Sequence, residues 1–369
     1  MERYIIGAKV EDIETPALLI DLDKMEYNLN KMADFVKKKK MSIRPHFKTH
    51  KSPFLAHKQL EAGAIGITCQ KLSEAEVLAK SGIGDILITN EIVGKQKIKR
   101  LVNLAAYTDL IASIENYHNA EDISNSALEK GVVVNYLVEL NIGMNRCGVD
   151  PGEPAVKLVQ KINELKGLKF LGIMAYEGHT VFIESYEERK NEAIKALKKV
   201  SETKQMLKKK GINCKIVSCG STGTYMITGA YPDVTEIESG SYLTMDMKYN
   251  AIEGVGDTFK TALSLLTTVI SKPSDNRIIL DAGMKAISKE FGMPLLKQKI
   301  EGFELYKLAE EHGYAEVSKS VKNLFSIGQK IELLPSHGCT TINLHDVYYG
   351  IRSGIVECIL PIEARGKFY

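Results

Sequence analysis

Short runs of apolar residues alternate with longer amphipathic stretches through the first 245 residues of the chain. A short buried run is typical of a strand, and apolar residues every three or four positions are typical of a helix. Strands that alternate with helices predict βαβ units and a parallel sheet. Eight such strands form a TIM-type (β/α)8 barrel, and an open doubly wound sheet is the alternative. The predicted strands cover residues 42–44, 65–69, 85–89, 110–114, 132–140, 170–176, 215–219 and 234–237.

The pattern changes after residue 244, where β-branched runs replace the alternation and only residues 302–310 resemble a helix. This pattern predicts a C-terminal, mainly β domain. We therefore expect an α/β barrel over residues 16–245 and a β domain over residues 246–369, to which residues 1–15 are joined. The predicted strands of the β domain lie within residues 261–270, 277–283, 330–334 and 348–361.

Composition and charge exclude several classes of protein. The net charge is only +3, which gives no reason to expect a nucleic-acid partner. No apolar run reaches the roughly 18 residues of a transmembrane helix, and no signal-like segment opens the chain. The six cysteines are scattered and none forms a Cys-x-x-Cys pair. We therefore expect a cytoplasmic protein with free thiols and no membrane partner.

Lys48 lies just past the first predicted barrel strand, within Arg44-Pro45-His46-Phe47-Lys48-Thr49-His50-Lys51. Barrel enzymes place their chemistry at this end of the strands. A mostly apolar pocket lowers the pKa of a lysine, and such a lysine can form a Schiff base with pyridoxal phosphate (PLP). The alternative is a basic surface loop, since His50 and Lys51 crowd the same turn.

Two glycine-rich turns follow the last two predicted barrel strands, where barrels often bind phosphate. Glycine lets backbone N–H groups approach an anion, and hydroxyl groups add donors. Ordinary turn chemistry is the alternative, because Gly and Ser are favoured in any turn. The first turn contains Gly220, Ser221, Thr222, Gly223 and Thr224, and the second contains Gly240, Ser241 and Tyr242.

His337 and Cys339 stand two positions apart in a predicted loop. Both side chains can face one divalent ion, and the thiol favours a softer metal such as zinc. The alternative is a buried cysteine beside a hydrogen-bonded histidine. Arg146, Tyr176 and His179 follow other barrel strands, where Arg146 could pair with an anionic oxygen of a cofactor or substrate.

The Lys48 motif, the two glycine turns and His337-x-Cys339 together resemble the D-threonine aldolase and eukaryotic-type D-serine dehydratase group. These are PLP enzymes with the alanine racemase fold, and residues 15–21 resemble the group's opening. The resemblance implies that Lys48 bonds PLP, that the glycine turns hold its phosphate, and that Arg146 and Tyr176 contact it. It also implies a first short strand that joins the β domain, a metal held by His337 and Cys339 beside the substrate, and a homodimer.

The spacing at the metal pair also bears on the reaction. In the resembled group, aldolases carry His-x-Asp with manganese or a similar ion, and zinc dehydratases carry His-x-Cys. The chain therefore resembles a zinc-assisted lyase that dehydrates D-3-hydroxy amino acids such as D-serine. The main alternative is an aldolase, in which His179 could act as a base or support the metal. Further alternatives are an amino acid racemase, a non-catalytic PLP carrier and a metal-dependent barrel hydrolase without PLP.

Overall fold

The computed structural model describes residues 5–369, which divide into two units. The barrel unit contains residues 32–48, 55–240 and 367–369. The β unit contains residues 49–54 and 241–366 together with the described chain up to residue 31. The first regular elements are β1 (Ala17–Asp21) and α1 (Leu22–Lys39). Short 3-10 helices lie at Val10–Asp12, Phe47–Thr49 and Lys322–Leu324.

Eight parallel strands form the sheet of the barrel unit, in the order β2-β9-β8-β7-β6-β5-β4-β3. A parallel bridge between His46 and Thr68 joins the two ends of this order, so the sheet closes on itself. The predicted TIM-like barrel is therefore confirmed, and the open doubly wound alternative is not. The strands are β2 (Ser42–Ile43), β3 (Ile67–Cys69), β4 (Asp85–Glu91), β5 (Asp109–Ile114), β6 (Val134–Glu139), β7 (Leu168–Ala175), β8 (Ile216–Cys219) and β9 (Glu236–Ile237).

Helices follow the barrel strands, as the apolar periodicity predicts. In α6, the buried positions Val156, Val159 and Ile162 recur at helical spacing. The side chain of Ser185 caps α7, where it accepts a hydrogen bond from the backbone of Glu188. No helix within residues 5–369 is long and apolar enough to cross a membrane. The helices are α2 (Pro53–Glu61), α3 (Leu72–Lys80), α4 (Lys95–Ala105), α5 (Tyr117–Lys130), α6 (Glu153–Ile162), α7 (Tyr186–Lys209) and α8 (Tyr225–Thr228).

The β unit is built on a nine-stranded sheet with the path β13-β14-β11-β10-β1-β16-β17, and β15 pairs with β10 and β12. Its helices are α9 (Met247–Asn250) and α10 (Gly338–Ile342). The predicted mainly β domain is confirmed. Its strands after β1 are β10 (Leu263–Ser274), β11 (Arg277–Leu280), β12 (Leu295–Leu296), β13 (Phe303–Leu308), β14 (Gly313–Val317), β15 (Lys330–Leu334), β16 (Val347–Arg352) and β17 (Ile355–Pro361).

Strand β1 belongs to the β unit by hydrogen bonding. It pairs antiparallel with β10 and parallel with β16, and Ala17 and Leu19 pack with Ile13 and Leu266 in one apolar cluster. The predicted domain limits of 16–245 and 246–369 therefore differ from the unit that contains residues 17–21. The division into two separately folding domains at these limits stays a prediction. The part of this prediction that concerns residues 1–4 lies outside the described residues.

The helix predicted for residues 302–310 is wrong, because this segment forms β13. Leu305 and Leu308 are its buried side chains, and β14 provides the backbone partners. Tertiary pairing here outweighs the helical preference of Glu, Leu, Lys and Ala.

Candidate active site

Lys48 follows the carboxyl end of β2 on the short 3-10 helix Phe47–Thr49. Phe47 is fully buried and fixes this turn in the barrel unit, whereas Lys48 is half-buried. The backbone N–H of Lys48 donates to His46 Nδ1 at 3.4 Å, and His46 Nε2 lies 3.5 Å from Thr89 Oγ1. The lysine thus stands at a defined position at the end of the barrel where such enzymes act.

Glu238 is a residue of this site that sequence reasoning missed. It follows β9 directly, and its Oε1 accepts a hydrogen bond from Ser218 Oγ at 2.8 Å. Burial raises the pKa of Glu238 to about 7, although the Ser218 bond and the charge of Lys48 act to lower it. Lys48 and Glu238 therefore interact electrostatically. Its place directly after a predicted barrel strand is the signal that could have revealed it.

The buried carboxylate of Glu177 organises the first glycine-rich turn. It accepts hydrogen bonds from the backbone N–H of Gly220 at 3.1 Å and from Thr224 Oγ1 at 2.7 Å, and a further bond from the Thr228 hydroxyl. Within the turn, the N–H of Gly223 donates to Ser221 Oγ at 3.2 Å. Glu177 thus fixes the predicted phosphate turn and its hydroxyl groups inside the barrel unit.

Ser239, directly before the second turn, has a buried hydroxyl that could contact a ligand. Ser239 is fully buried, and its Oγ has no hydrogen-bond partner within residues 5–369. A buried hydroxyl without a partner is costly, so a ligand that accepts or donates there would relieve the cost. Ser221 and Thr222 are also buried hydroxyl residues of the first turn. These donors, with the amine of Lys48, fit the phosphate and the aldehyde of PLP.

Replacement of Gly223 by alanine should weaken PLP binding by roughly tenfold or more, the equivalent of about 1.4 kcal/mol. The added Cβ would lie 2.4 Å from the carbonyl oxygen of Val181, so the turn must shift. The measurement is an absorbance titration of PLP-free protein with PLP.

Gly84→Ala is the matched control, because a Cβ at this exposed glycine of the barrel unit would meet nothing within 4 Å. Unchanged PLP affinity in Gly223→Ala, with Gly84→Ala also unchanged, would contradict a phosphate role for the turn.

Arg146 and Tyr176 lie against each other, and their predicted contact with the cofactor stays a prediction. The guanidinium carbon of Arg146 lies 5.4 Å from the centre of the Tyr176 ring, and Nη2 lies 3.7 Å from Glu139 Oε1. Burial, together with the neighbouring Glu91, raises the pKa of Glu139 to about 9. Because the pKa of Glu139 is raised, this carboxyl opposes the charge of Arg146 less than an ordinary carboxylate would.

The other residues proposed from sequence lie in different surroundings. His179 is exposed, and its ring packs over Gly143. A side chain at position 143 would collide with this ring. Gly240 ends a segment of the barrel unit, whereas Ser241 and Tyr242 belong to the β unit. Tyr242 is buried with its ring 5.7 Å from that of Phe259. The roles proposed for these four residues stay predictions.

His337 and Cys339 come together in the β unit. His337 precedes α10, and its side chain hydrogen bonds through Nδ1 with Glu290 Oε2 at 2.7 Å and interacts electrostatically with Cys339. Asp246 fixes the backbone between them, because its Oδ2 accepts a hydrogen bond from the N–H of Gly338 at 2.8 Å. Burial acts to lower the pKa of His337, but Cys339, Glu290 and Asp246 raise it to about 9.

The imidazole of His337 and the thiol of Cys339 fit a divalent metal such as zinc. An imidazole and a thiol side by side are ligands that zinc prefers, and a metal releases their protons when it binds. His345, later in the same segment, has its Nε2 2.7 Å from the carbonyl oxygen of Ala286. Sequence reasoning missed Glu290, whose position far along the chain from His337 carries no local signal.

Comparison with known proteins agrees with this arrangement. The family model described as alanine racemase, N-terminal domain, matches residues 20–248, and the putative serine dehydratase domain matches residues 262–351. D-threonine aldolase of Arthrobacter sp is 36% identical over 361 residues, which cover 98% of this chain and 95% of that protein. The chain belongs to the D-threonine aldolase and D-serine dehydratase family of the alanine racemase fold. It is a PLP-dependent lyase, so the predicted family and enzyme class are confirmed.

Solved structures match along the whole chain. The crystal structure of D-threonine aldolase from Filomicrobium marinum superposes with a TM-score of 0.95 at 36% identity and covers 99% of each chain. D-threo-3-hydroxyaspartate dehydratase from Delftia sp. HT23 superposes with a TM-score of 0.87 at 26% identity, over 96% of this chain and 98% of that one. Relatives with this fold thus include both an aldolase and a dehydratase.

Proposed function

We propose that the protein is a metal-assisted, PLP-dependent lyase that dehydrates D-3-hydroxy amino acids to 2-keto acids and ammonia. The observation that carries the proposal is the His337 and Cys339 pair, whose imidazole and thiol interact at the start of α10. Solved structures of the Delftia dehydratase include a cysteine-to-alanine mutant in the metal-free form, which supports a metal role for a cysteine in a relative. The metal that we propose is zinc.

The barrel unit would provide the proton chemistry at Cα of the substrate. PLP, when bound, supplies an electron sink for the pair of electrons left on Cα. Lys48 is the residue that would hold the cofactor covalently and, once its amine is released, accept the Cα proton at Nζ. Glu238 interacts with Lys48 and has a pKa of about 7, so it can take up or release a proton near neutral pH.

The polar groups around the barrel unit's turns would bind and orient the cofactor. The first turn, organised by Glu177, would present hydroxyl and N–H donors to the phosphate. Arg146 stands over Tyr176 beside Glu139, whose pKa is raised, so its guanidinium can pair with an anionic oxygen. These contacts would hold the reacting bonds in one orientation.

The metal would act on the hydroxyl of the substrate. As a Lewis acid, a divalent ion supplies charge stabilisation at an oxygen, which makes a hydroxyl a better leaving group. His337 and Cys339 would hold the ion through a ring nitrogen and a thiolate. A racemase needs proton donors and acceptors on both faces of its substrate and no metal, which ranks racemisation lower.

The second candidate is retro-aldol cleavage to glycine and an aldehyde. Full-length similarity favours it, since the aldolases from Arthrobacter and Filomicrobium are both 36% identical to this chain. In that reaction His337 and Cys339 would hold the same metal, which would supply charge stabilisation at the substrate oxygen, and the bond between Cα and Cβ would break. His179 would be a candidate base in that reaction.

Purified protein should convert D-serine, D-threonine or D-3-hydroxyaspartate to a 2-keto acid and ammonia, with loss of activity after treatment with a chelator. The reason is that the metal held by His337 and Cys339 would supply the Lewis acid that makes the hydroxyl a better leaving group. The measurement couples 2-keto acid and ammonia assays with chromatography of glycine, and zinc is added back after chelation.

Glycine and an aldehyde as the only products would contradict dehydration and favour the aldolase. Inversion at Cα without bond cleavage would favour a racemase. Protein that carries PLP but acts on none of these substrates would favour a carrier. Hydrolytic activity without a cofactor absorbance band would favour a metal-dependent hydrolase.

A further inference from the structure

Glu290 makes a short hydrogen bond to the histidine of the metal pair. His337 Nδ1 lies 2.7 Å from Glu290 Oε2. An ionised carboxylate only accepts hydrogen bonds, so the shared hydrogen lies on Nδ1 of the ring. In the neutral ring Nε2 is then the nitrogen with a lone pair, the one able to bind a metal. The ring also interacts electrostatically with Cys339, the second proposed donor.

Phe291, the next residue, fixes the plane of the same ring. Its ring stacks on His337 with 4.5 Å between centroids and an angle of 24° between planes. The hydrogen bond from Nδ1 sets the rotation of the imidazole, and the stacked ring prevents a tilt. Two consecutive residues thus define where Nε2 points.

The segment that carries Glu290 and Phe291 is itself tied to the metal loop. The backbone N–H of Ser288 donates a hydrogen bond to Thr341 Oγ1 at 3.2 Å. Ser336 Oγ donates to the carbonyl oxygen of Ser288 at 3.3 Å. Thr341 Oγ1 in turn donates to the carbonyl oxygen of His337 at 2.9 Å. The two segments therefore hold a single relative position within the β unit.

We propose that Glu290, with Phe291, is a positioning residue that orients His337 for the metal and sets the affinity of the site. The inference rests on the proposed function, in which His337 and Cys339 hold the ion. Carboxylates that accept the second N–H of a ligating histidine typically change metal affinity by about 10- to 100-fold. If the contact between Glu290 and His337 served only folding, its removal would leave the metal affinity unchanged.

The test is the zinc affinity of PLP-loaded protein, measured by competition with a chromogenic chelator after the resident metal is removed. Glu290→Ala should weaken zinc binding by about tenfold or more, because it removes both the bond and the charge. Glu290→Gln keeps an acceptor without the charge and should fall between Glu290→Ala and the unmodified protein. Phe291→Leu should weaken binding in the same direction.

Glu310→Gln is the matched control, since Glu310 is an exposed carboxylate of the same unit that pairs with Lys285 at 3.8 Å. It should leave zinc affinity unchanged. The melting temperature of the metal-free protein should also be unchanged in Glu290→Ala, which separates positioning from a general loss of structure.

The outcomes separate the inference from the proposed function. If His337→Ala and Cys339→Ala lose zinc but Glu290→Ala binds it normally, Glu290 is not a positioning residue and the metal site stands. If Glu290→Ala loses zinc only together with a lower melting temperature of the metal-free protein, its role is structural and the inference fails. If His337→Ala and Cys339→Ala bind zinc like the unmodified protein, the metal site itself is wrong.

Discussion

Lys48→Ala should abolish turnover, with a loss of about 10³-fold or more, and should remove the visible absorbance of the bound cofactor. The variant lacks both the amine that bonds the cofactor and the base that accepts the Cα proton, and a general base alone contributes about 10²- to 10⁴-fold. The measurements are the absorbance spectrum and the rate of product formation. Borohydride reduction of the unmodified protein, followed by peptide mass spectrometry, should find the cofactor on Lys48.

Two variants make this prediction specific. Lys48→Arg keeps the positive charge but has no amine that can form the bond, so it should be as inactive as the alanine variant. Lys58→Ala removes a lysine of the same unit that pairs with Glu61 at 3.0 Å, and it should keep both absorbance and turnover. Substantial turnover by Lys48→Ala would mean that another residue forms the bond to the cofactor.

Cys339→Ala and His337→Ala should each reduce bound metal to a small fraction of one ion per chain and lower turnover by roughly 10³-fold. A Lewis acid contributes several kcal/mol, and each 1.36 kcal/mol is a factor of about ten in rate. PLP should stay bound, because Lys48 and the first glycine-rich turn belong to the barrel unit and the metal pair belongs to the β unit. Metal analysis by mass spectrometry, read beside the cofactor spectrum, measures both effects.

Cys358→Ala is the control for a cysteine of the same unit, since Cys358 is a free thiol on β17. It should keep metal and activity. Full activity and full metal content in Cys339→Ala would exclude the thiol as a ligand and remove the main reason to prefer dehydration over aldol cleavage.

The sequence by itself determined the barrel and the position of Lys48. Strands of a parallel barrel are buried on both faces, so they appear as continuous apolar runs that local pattern can detect. The run at Ile86, Leu87 and Ile88 within β4 is such a case. Lys48 could be found for the same reason, because its place at the carboxyl end of a strand depends only on the residues beside it.

The apolar pattern did not decide which sheet contains β1 or what residues 303–308 form, although the family resemblance implied that the first strand joins the β domain. The apolar run at Ala17–Asp21 is compatible with a barrel strand and with a strand of the β unit. Its hydrogen bonds to β10 and β16 place it in the β unit. The segment Phe303–Leu308 has helix-forming residues, but β14 lies beside it and pairs with it. Pairing between distant segments leaves no periodic signal in either one.

The same reason explains which site residues the sequence did not reveal. Glu177 fixes a turn more than 40 residues away, and its hydrogen bonds to Gly220 and Thr224 exist only in the folded chain. Glu290 meets His337 through an equally distant contact. The sequence identified the groups that carry the chemistry, since lysine, histidine and cysteine are distinctive by type. The carboxylates that hold them in place are common residues, and only their folded neighbours give them a role.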